Sequence, residues 1–239
     1  MRYEVCVQLD EEGATTWVRA LPGCFCEGRA EQEAMARVPV VIAEYLTWLR
    51  RHGEEVPLDD GHEVHVVEHV EAPPGRSEPC FAADRVPATE EEIQTPIRRM
   101  GFACEDLLAL VAPLPDEVLD WQPTPEKWSI RSILAHIASA DGYYRTSLLE
   151  QEPVPDPPEE RFNLALQREK AVAHLRSLTA AQRAHVFRPD WPWRNDRDQE
   201  WPVRKALRRF IYHERFHTRD ILQTLAWLLT GEPEGYAAM

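Results

Sequence analysis

The sequence predicts a multidomain chain, a small α+β N-terminal domain followed by an all-α four-helix bundle, and three features carry that prediction. Apolar residues repeat at every second position near the start, as in Tyr3, Val5, Val7 and Leu9, and at every third or fourth position later, as in Ile130, Ile133, Leu134 and Ile137. Between the two regimes lies APPGRSEPCFAADRVPA at 72–88, rich in proline and small residues and without a period. Beyond it the pattern supports four long amphipathic helices and no strand, and such helices must bury their apolar stripes against one another. The domains are placed at 1–75 and 89–239, with 76–88 as the linker.

The first domain opens with a strand over YEVCVQL, residues 3–9, and a turn at Glu11-Glu12-Gly13. TTWVRAL at 15–21 is a second strand, Pro22-Gly23 breaks it, and CFCEG at 24–28 is a third. EQEAMARVPVVIAEYLTWLRR has the helical period, with Pro39 expected to interrupt and kink it and Gly53 to follow its end. HEVHVVEHV at 62–70 alternates again and closes the unit as a fourth strand.

In the second domain Thr89 and Glu92 have the spacing of a capping box, although Thr95-Pro96 offers a competing start, and the first helix runs to about Val111. A second helix begins behind Ser129 and is expected to continue through SIRSILAHIASADGYYRTSLLE. A third spans about 161–177, followed by a short turn capped by Thr179 and Gln182. The last begins at Pro202 and runs to Gly231.

Composition narrows the function classes. With 27 Lys+Arg against 41 Asp+Glu the formal net charge is −14, which repels phosphate backbones and argues against nucleic acid as a partner. No run approaches the eighteen apolar residues of a membrane span, and MRYEVCVQLDEEG lacks the basic flank and apolar core of a secretion signal. The five cysteines, at 6, 24, 26, 80 and 104, are odd in number and scattered, as suits reduced thiols. A cytoplasmic location is expected.

The chemistry-bearing residues cluster on two of the helices. HERFH places His213 and His217 four apart, one turn from each other on the same face of the last helix. Steps of three and four link Ala206, Phe210, His213, His217, Asp220 and Thr224, so the pair continues a stripe that begins apolar and faces inward. An inward polar stripe has to be hydrogen-bonded or liganded. His136 lies on the second helix within one turn of Ile133 and Ala140, where a histidine by itself reads as a hydrogen-bonded core residue. Taken with the other two, it completes the three-imidazole, open-position donor set of catalytic zinc-type sites. Imidazole suits several divalent transition metals; zinc and nickel are the expected ions.

HERFH also spells the His-Glu-x-x-His of zinc metalloproteases, in which Glu214 would activate water. Only Asp220, Glu232 and Glu234 follow His217 as further ligands, which leaves little room for the rest of a protease. Of His62, His65 and His69, only His65 and His69 are expected to share a strand face, and a solvated or structural role fits them. Cys24 and Cys26 have no second cysteine pair to complete a metal site and read as free thiols. The aromatic WPWRNDRDQEW at 191–201 reads as packing beneath a loop or as a lid before the last helix.

LPDEVLDWQPTPEKWSIRSILAHIASADGYY, followed downstream by HERFHTRDI, resembles the DinB-like superfamily of metal-binding four-helix bundles over about residues 90–235. The specific parts are Trp128-Ser129-Ile130, His136 seven residues after Ser129, and the final His-x-x-x-His. The resemblance implies His136, His213 and His217 as ligands of a divalent metal, with Asp220 where the family often has a polar residue near it. Ser132 departs from the acidic residue often found there, which weakens the cap at Ser129. The superfamily includes thiol-dependent S-transferases and isomerases, so the resemblance implies a metal-dependent transferase or hydrolase acting on a small molecule, with a low-molecular-weight thiol as a candidate partner. The alternative is a non-catalytic regulatory or interaction protein with a structural metal. The first 70 or so residues resemble HicB-like antitoxin domains, through the opening strand, ALPGCFCEG and EQEAMARVPVVIAEYL. A DNA-binding segment usually follows that module; here a bundle does, and the module is read as a partner-contact unit, with a homodimer expected.

Overall fold

The computed structural model describes residues 1–56, 61, 63–71, 79–150, 157, 160–188 and 200–231. The chain divides into two compact units, Met1–Val86 with Arg188–Glu200, and Pro87–Phe187 with Trp201–Met239.

The first unit is α+β, as its alternating pattern requires. Strands β1 (Arg2–Asp10), β2 (Gly13–Val18), β3 (Phe25–Gly28) and β4 (Glu63–Glu71) form one sheet in the order β3-β2-β1-β4, with helix α1 (Glu31–Arg51) between β3 and β4 in the chain. β1–β2 and β2–β3 are antiparallel, whereas β4 lies parallel to β1; a parallel neighbour needs a long crossover, and α1 supplies it. The hairpin turn is held by Asp10, whose Oδ1 accepts the amides of Glu12 and Gly13 at 2.9 and 3.0 Å. Gly13 is irreplaceable there: at φ 147° a Cβ would lie 2.2 Å from the Gly28 carbonyl oxygen. Tyr3, Val5 and Val7 of β1 and Ala34, Val38, Ile42 and Leu49 of α1 are all buried.

Three expectations need correction in this unit. β2 stops at Val18 rather than 21: Arg19 N still bonds Glu4 O across the strand pair, but Leu21 N closes on Val18 O in a turn. α1 runs continuously through Pro39. The segment at 72–88 is not featureless where it is described: Ala82–Arg85 form a 3-10 turn, and Phe81 is buried with its ring 6.3 Å from that of Trp17. A tryptophan on the sheet face opposite α1 needs an apolar cover, and Phe81 contributes to it.

In the second unit four long helices, α2 (Glu90–Val111), α4 (Ile130–Tyr143), α5 (Leu164–Ser177) and α7 (Val203–Thr230), form the bundle; α3 (Asp116–Asp120) and α6 (Ala180–Ala184) are short. Around the bundle the order is α2, α5, α4, α7, each long helix packed on two others. The apolar stripes meet in a core that includes Leu107, Ile130, Ile133, Ile137, Leu164 and Ile221. Thr89 and Glu92 make the expected reciprocal capping box, which fixes the start of α2. Thr89→Ala should lower stability by about 1 kcal/mol, measured as a shift in the denaturation midpoint; an unchanged midpoint would remove the cap from the account. Gly231, at φ 71°, ends α7 in the left-handed conformation that favours glycine.

Here too the structure departs from the sequence reading. α4 ends at Tyr143 instead of continuing to 150, and Tyr144–Leu148 form one π turn. The wider turn lets two consecutive side chains, Tyr144 and Arg145, both be buried. The third helix starts at Leu164, behind an Asn163 cap, rather than at 161. α3 was not expected, nor was the two-residue ladder β5 (Val186–Phe187) with β6 (Trp201–Pro202). Among the described residues no helix is long and apolar enough to cross a membrane.

Candidate metal centre

α4 and α7 are neighbours in the bundle, and that adjacency brings His136 to His213 and His217. The centroid of the His136 ring lies 4.9 Å from that of His213 and 4.8 Å from that of His217, and the two α7 rings are 4.5 Å apart. One candidate ligand atom from each residue lies within 4.8 Å of the other two. His136 Nε2 and His213 Nε2 approach to 3.0 Å. His217 Nδ1 lies 2.8 Å from Asp220 Oδ2, which fixes that nitrogen as the N–H bearer and leaves Nε2 for the centre.

Burial sets the protonation of the rings. His213 is 5 % exposed, and burial, with help from the Arg209 charge and the neighbouring rings, holds it well below the usual imidazole range. His136 is lowered to about 4, first by burial and then by His217 and Arg209, with Asp220 opposing. Both rings are therefore neutral near pH 7, the state a metal needs. His213 Nδ1 is buried with no hydrogen-bond partner among the described residues. One nitrogen from each of the three rings lies within reach of a common point, and a single cation there would take their lone pairs together; the donor set fits a divalent transition metal.

Trp128 borders the rings on the outer side. Its indole centroid is 4.7 Å from His136 and 6.3 Å from His217, yet the residue is 49 % exposed. Tyr144, turned inward by the π turn, stands edge-on to His213 at 5.6 Å and to Phe210 at 5.2 Å. Ser129 still caps α4 despite the missing acidic partner: its Oγ accepts the Ser132 amide at 3.2 Å, and the two hydroxyls pair at 3.0 Å.

Glu214 is not positioned as the base of a metalloprotease. It is fully buried, and its Oε2 accepts from Arg168 Nη1 at 2.5 Å. Arg168 also donates to both oxygens of Asp141, at 2.7 and 3.4 Å, and to the Met100 carbonyl at 2.7 Å. This knot ties α2, α4, α5 and α7 together in the bundle interior. Burial outweighs the guanidinium for Glu214, pushing its carboxyl up to about 7. The nearby Cys104 thiol is pushed up to about 12, first by burial and then by Glu214, and is inert as a nucleophile.

The remaining sequence candidates lie elsewhere. The extra residue Val67 in β4 opposite Val5/Cys6 is a bulge, so His65 and His69, expected to share a face, pair with Glu4 and Val7 on opposite faces of the sheet. His65 Nε2 lies 2.6 Å from Glu63 and His69 Nε2 2.9 Å from Glu31. Cys24 and Cys26 are buried and are not joined in a disulfide. His62, Glu232, Glu234 and residues 191–199 of the aromatic segment fall outside the described residues. Sequence reasoning missed the Arg168–Asp141 pair, which no local pattern signals, and Arg209, whose only signal is its place one turn before His213.

Three similarities bear on this arrangement. The model of the DinB superfamily matches residues 101–221, a span that contains all three histidines. The UPF0150 protein Ta0767 of Thermoplasma acidophilum is 37 % identical over 67 residues, covering 28 % of this chain and 97 % of that one. Among solved structures, similarity is found to YfiT from Bacillus subtilis, described as a probable metal-dependent hydrolase with an unusual four-helix bundle topology. The match has a TM-score of 0.46 and 17 % identity, and covers 66 % of this chain and 95 % of that one.

Proposed function

Since the chain belongs to the DinB superfamily through residues 101–221, and to the UPF0150 family through the 67 residues it shares with the Thermoplasma protein, we propose that it is a metal-dependent enzyme whose bundle holds one divalent ion, zinc or nickel, on His136, His213 and His217. The reaction is a group transfer of the thiol-dependent S-transferase type on a small molecule. The observation that carries the reading is the convergence of three imidazoles from two helices, at least two of them neutral, beside a half-exposed tryptophan.

When bound, such an ion supplies Lewis acidity and favours the deprotonated form of a donor atom brought to it. The chain's own groups do the positioning. Asp220 accepts the Nδ1 proton of His217 and orients that ring. Trp128 gives the outer side an apolar wall next to water. Transfer is favoured over hydrolysis because Glu214, the base that a hydrolytic His-Glu-x-x-His motif would use, is committed to Arg168 in the core. UPF0150 similarity supports reading the α+β unit as a HicB-like partner-contact module.

Elemental analysis of protein purified without an affinity tag, followed by assay of the loaded protein with a low-molecular-weight thiol and an electrophile, tests the proposal. About one ion per chain and metal-dependent thiol consumption are expected; thiol consumption unaffected by chelation would sink it. Trp128 offers a second check. Although the chain has eight tryptophans, nickel or cobalt should quench emission chiefly through this one, so Trp128→Phe should abolish most of the quenching while leaving the metal content unchanged.

A further inference from the structure

We infer that the bundle carries a second small-molecule site, where α4 and its π turn meet α5, and that this site binds a small hydroxylated molecule through an anionic group, a phosphate or a carboxylate. The inference is independent of the metal reading above.

A cavity of about 320 Å³ opens there, at the lower end of the roughly 300–1,000 Å³ of small-molecule pockets. Its walls include Ser139, Gly142, Arg145 and Thr146 from α4 and the π turn, Arg161 from the turn before α5 and Gln167 from α5, and none of the three histidines. Ser139, Gly142 and Thr146 follow one another at steps of three and four, which keeps them on one side of the helix. Gly142 leaves room for Gln167: a Cβ there would come within 3.2 Å of the Gln167 Oε1. The Gln167 amide is fixed at both ends, Oε1 accepting from Arg145 Nη2 at 3.2 Å and Nε2 donating to the Glu160 carbonyl at 3.3 Å.

The chemistry of the walls selects the ligand. Two arginines line the cavity and no carboxylate does, in a chain whose acids outnumber its lysines and arginines by 41 to 27. Arg145 is 4 % exposed and held by Gln167, so it contributes a fixed positive charge to the wall. The donors come from Arg161 and Ser139, both exposed. The Arg161 guanidinium makes no hydrogen bond or ion pair among the described residues, and the carboxylate of neighbouring Glu160 is engaged by Lys170 at 3.1 Å. A planar guanidinium matches a carboxylate or phosphate in geometry as well as charge. Thr146 Oγ1 donates to the Gly142 carbonyl at 2.9 Å, which leaves its lone pairs to accept from a hydroxyl of the ligand.

The test titrates glycerol 3-phosphate, glycerate and their neutral counterpart glycerol into the full chain by calorimetry. At least one of the anions should bind about tenfold tighter than glycerol, the effect of one charge-assisted contact, and the tighter of the two identifies the group. Arg161→Gln should weaken that anion about tenfold, whereas Arg176→Gln, which removes an arginine outside the cavity, should leave it within about twofold. Ser139→Trp, at an exposed position, should abolish binding by filling the cavity. His136→Ala should leave the affinity unchanged, because the site is separate from the three histidines. Circular dichroism checks that each variant keeps the wild-type helical content. Equal affinity for anion and glycerol, equal weakening by the two arginine changes, binding that survives Ser139→Trp, or loss of the anion in a folded His136→Ala variant overturns the assignment. Arg161 is exposed and lies outside the helices, so its variant decides the matter even where Ser139→Trp fails to fold.

Discussion

Replacing His136, His213 or His217 by alanine should take the ion content of the purified chain from about one to near zero after dialysis against a weak chelator. Each ring is one of three donors, and a two-imidazole remnant on a bundle has neither the number nor the angular spread of ligands that hold a divalent ion. Asp220→Asn should do less. It leaves all three donors in place and loosens only the ring of His217, for which a drop of about 10–100-fold in affinity is expected. Glu214→Gln should leave binding intact, because that carboxyl faces Arg168 and not the centre. Competition against a chromophoric chelator ranks the variants. Full ion content in any one alanine variant would show that its histidine is a core residue, and a Glu214→Gln variant without metal would return that residue to the site.

The second large effect concerns the buried knot. Arg168→Ala should cost about 3–5 kcal/mol, because it leaves Asp141 and Glu214 in the interior without their cation and the Met100 carbonyl without its donor. That is a large share of the roughly 5–15 kcal/mol that holds a typical domain together, so the bundle should melt far earlier or fail to accumulate. Removing all three charges at once, with Met at 168 and Leu at 141 and 214, should restore much of the loss, since a well-packed apolar replacement avoids the desolvation cost altogether. Thermal melts of the single and triple variants decide it. A triple variant as unstable as the single one would show that the knot adds stability beyond charge pairing.

What the sequence disclosed follows from which interactions are local. The capping box at Thr89, the span of α1 and the shared face of His213 and His217 each depend on residues within a turn or two of one another, so their spacing alone was informative. The π turn at Tyr144 was illegible because apolar periodicity continues through GYYRTSLL, and only packing of Tyr144 against Phe210 and His213 selects the wider turn. The bulge at Val67 was hidden for a similar reason: strand alternation in EVHVVEHV gives no sign of the partner register that shifts between Val5 and Cys6. Of the site, the three histidines could be named from a stripe and a motif. Their surroundings could not, since Arg168 meets Asp141 and Glu214 across 27 and 46 positions, and a single cation on a helix looks like any solvated side chain.

His136 and His213 are separated by 77 positions and come from different helices, which has a bearing on how the protein is made. At synthesis rates of about 5–20 residues per second, His136 is incorporated roughly 4–15 s before its partner. During that interval the nascent chain offers one isolated imidazole where the finished bundle offers three, and α2 and α4 are still without α7, the helix that packs on both. On the proposed metal reading, an ion held by all three rings can enter only once α7 has been made and packed on α4.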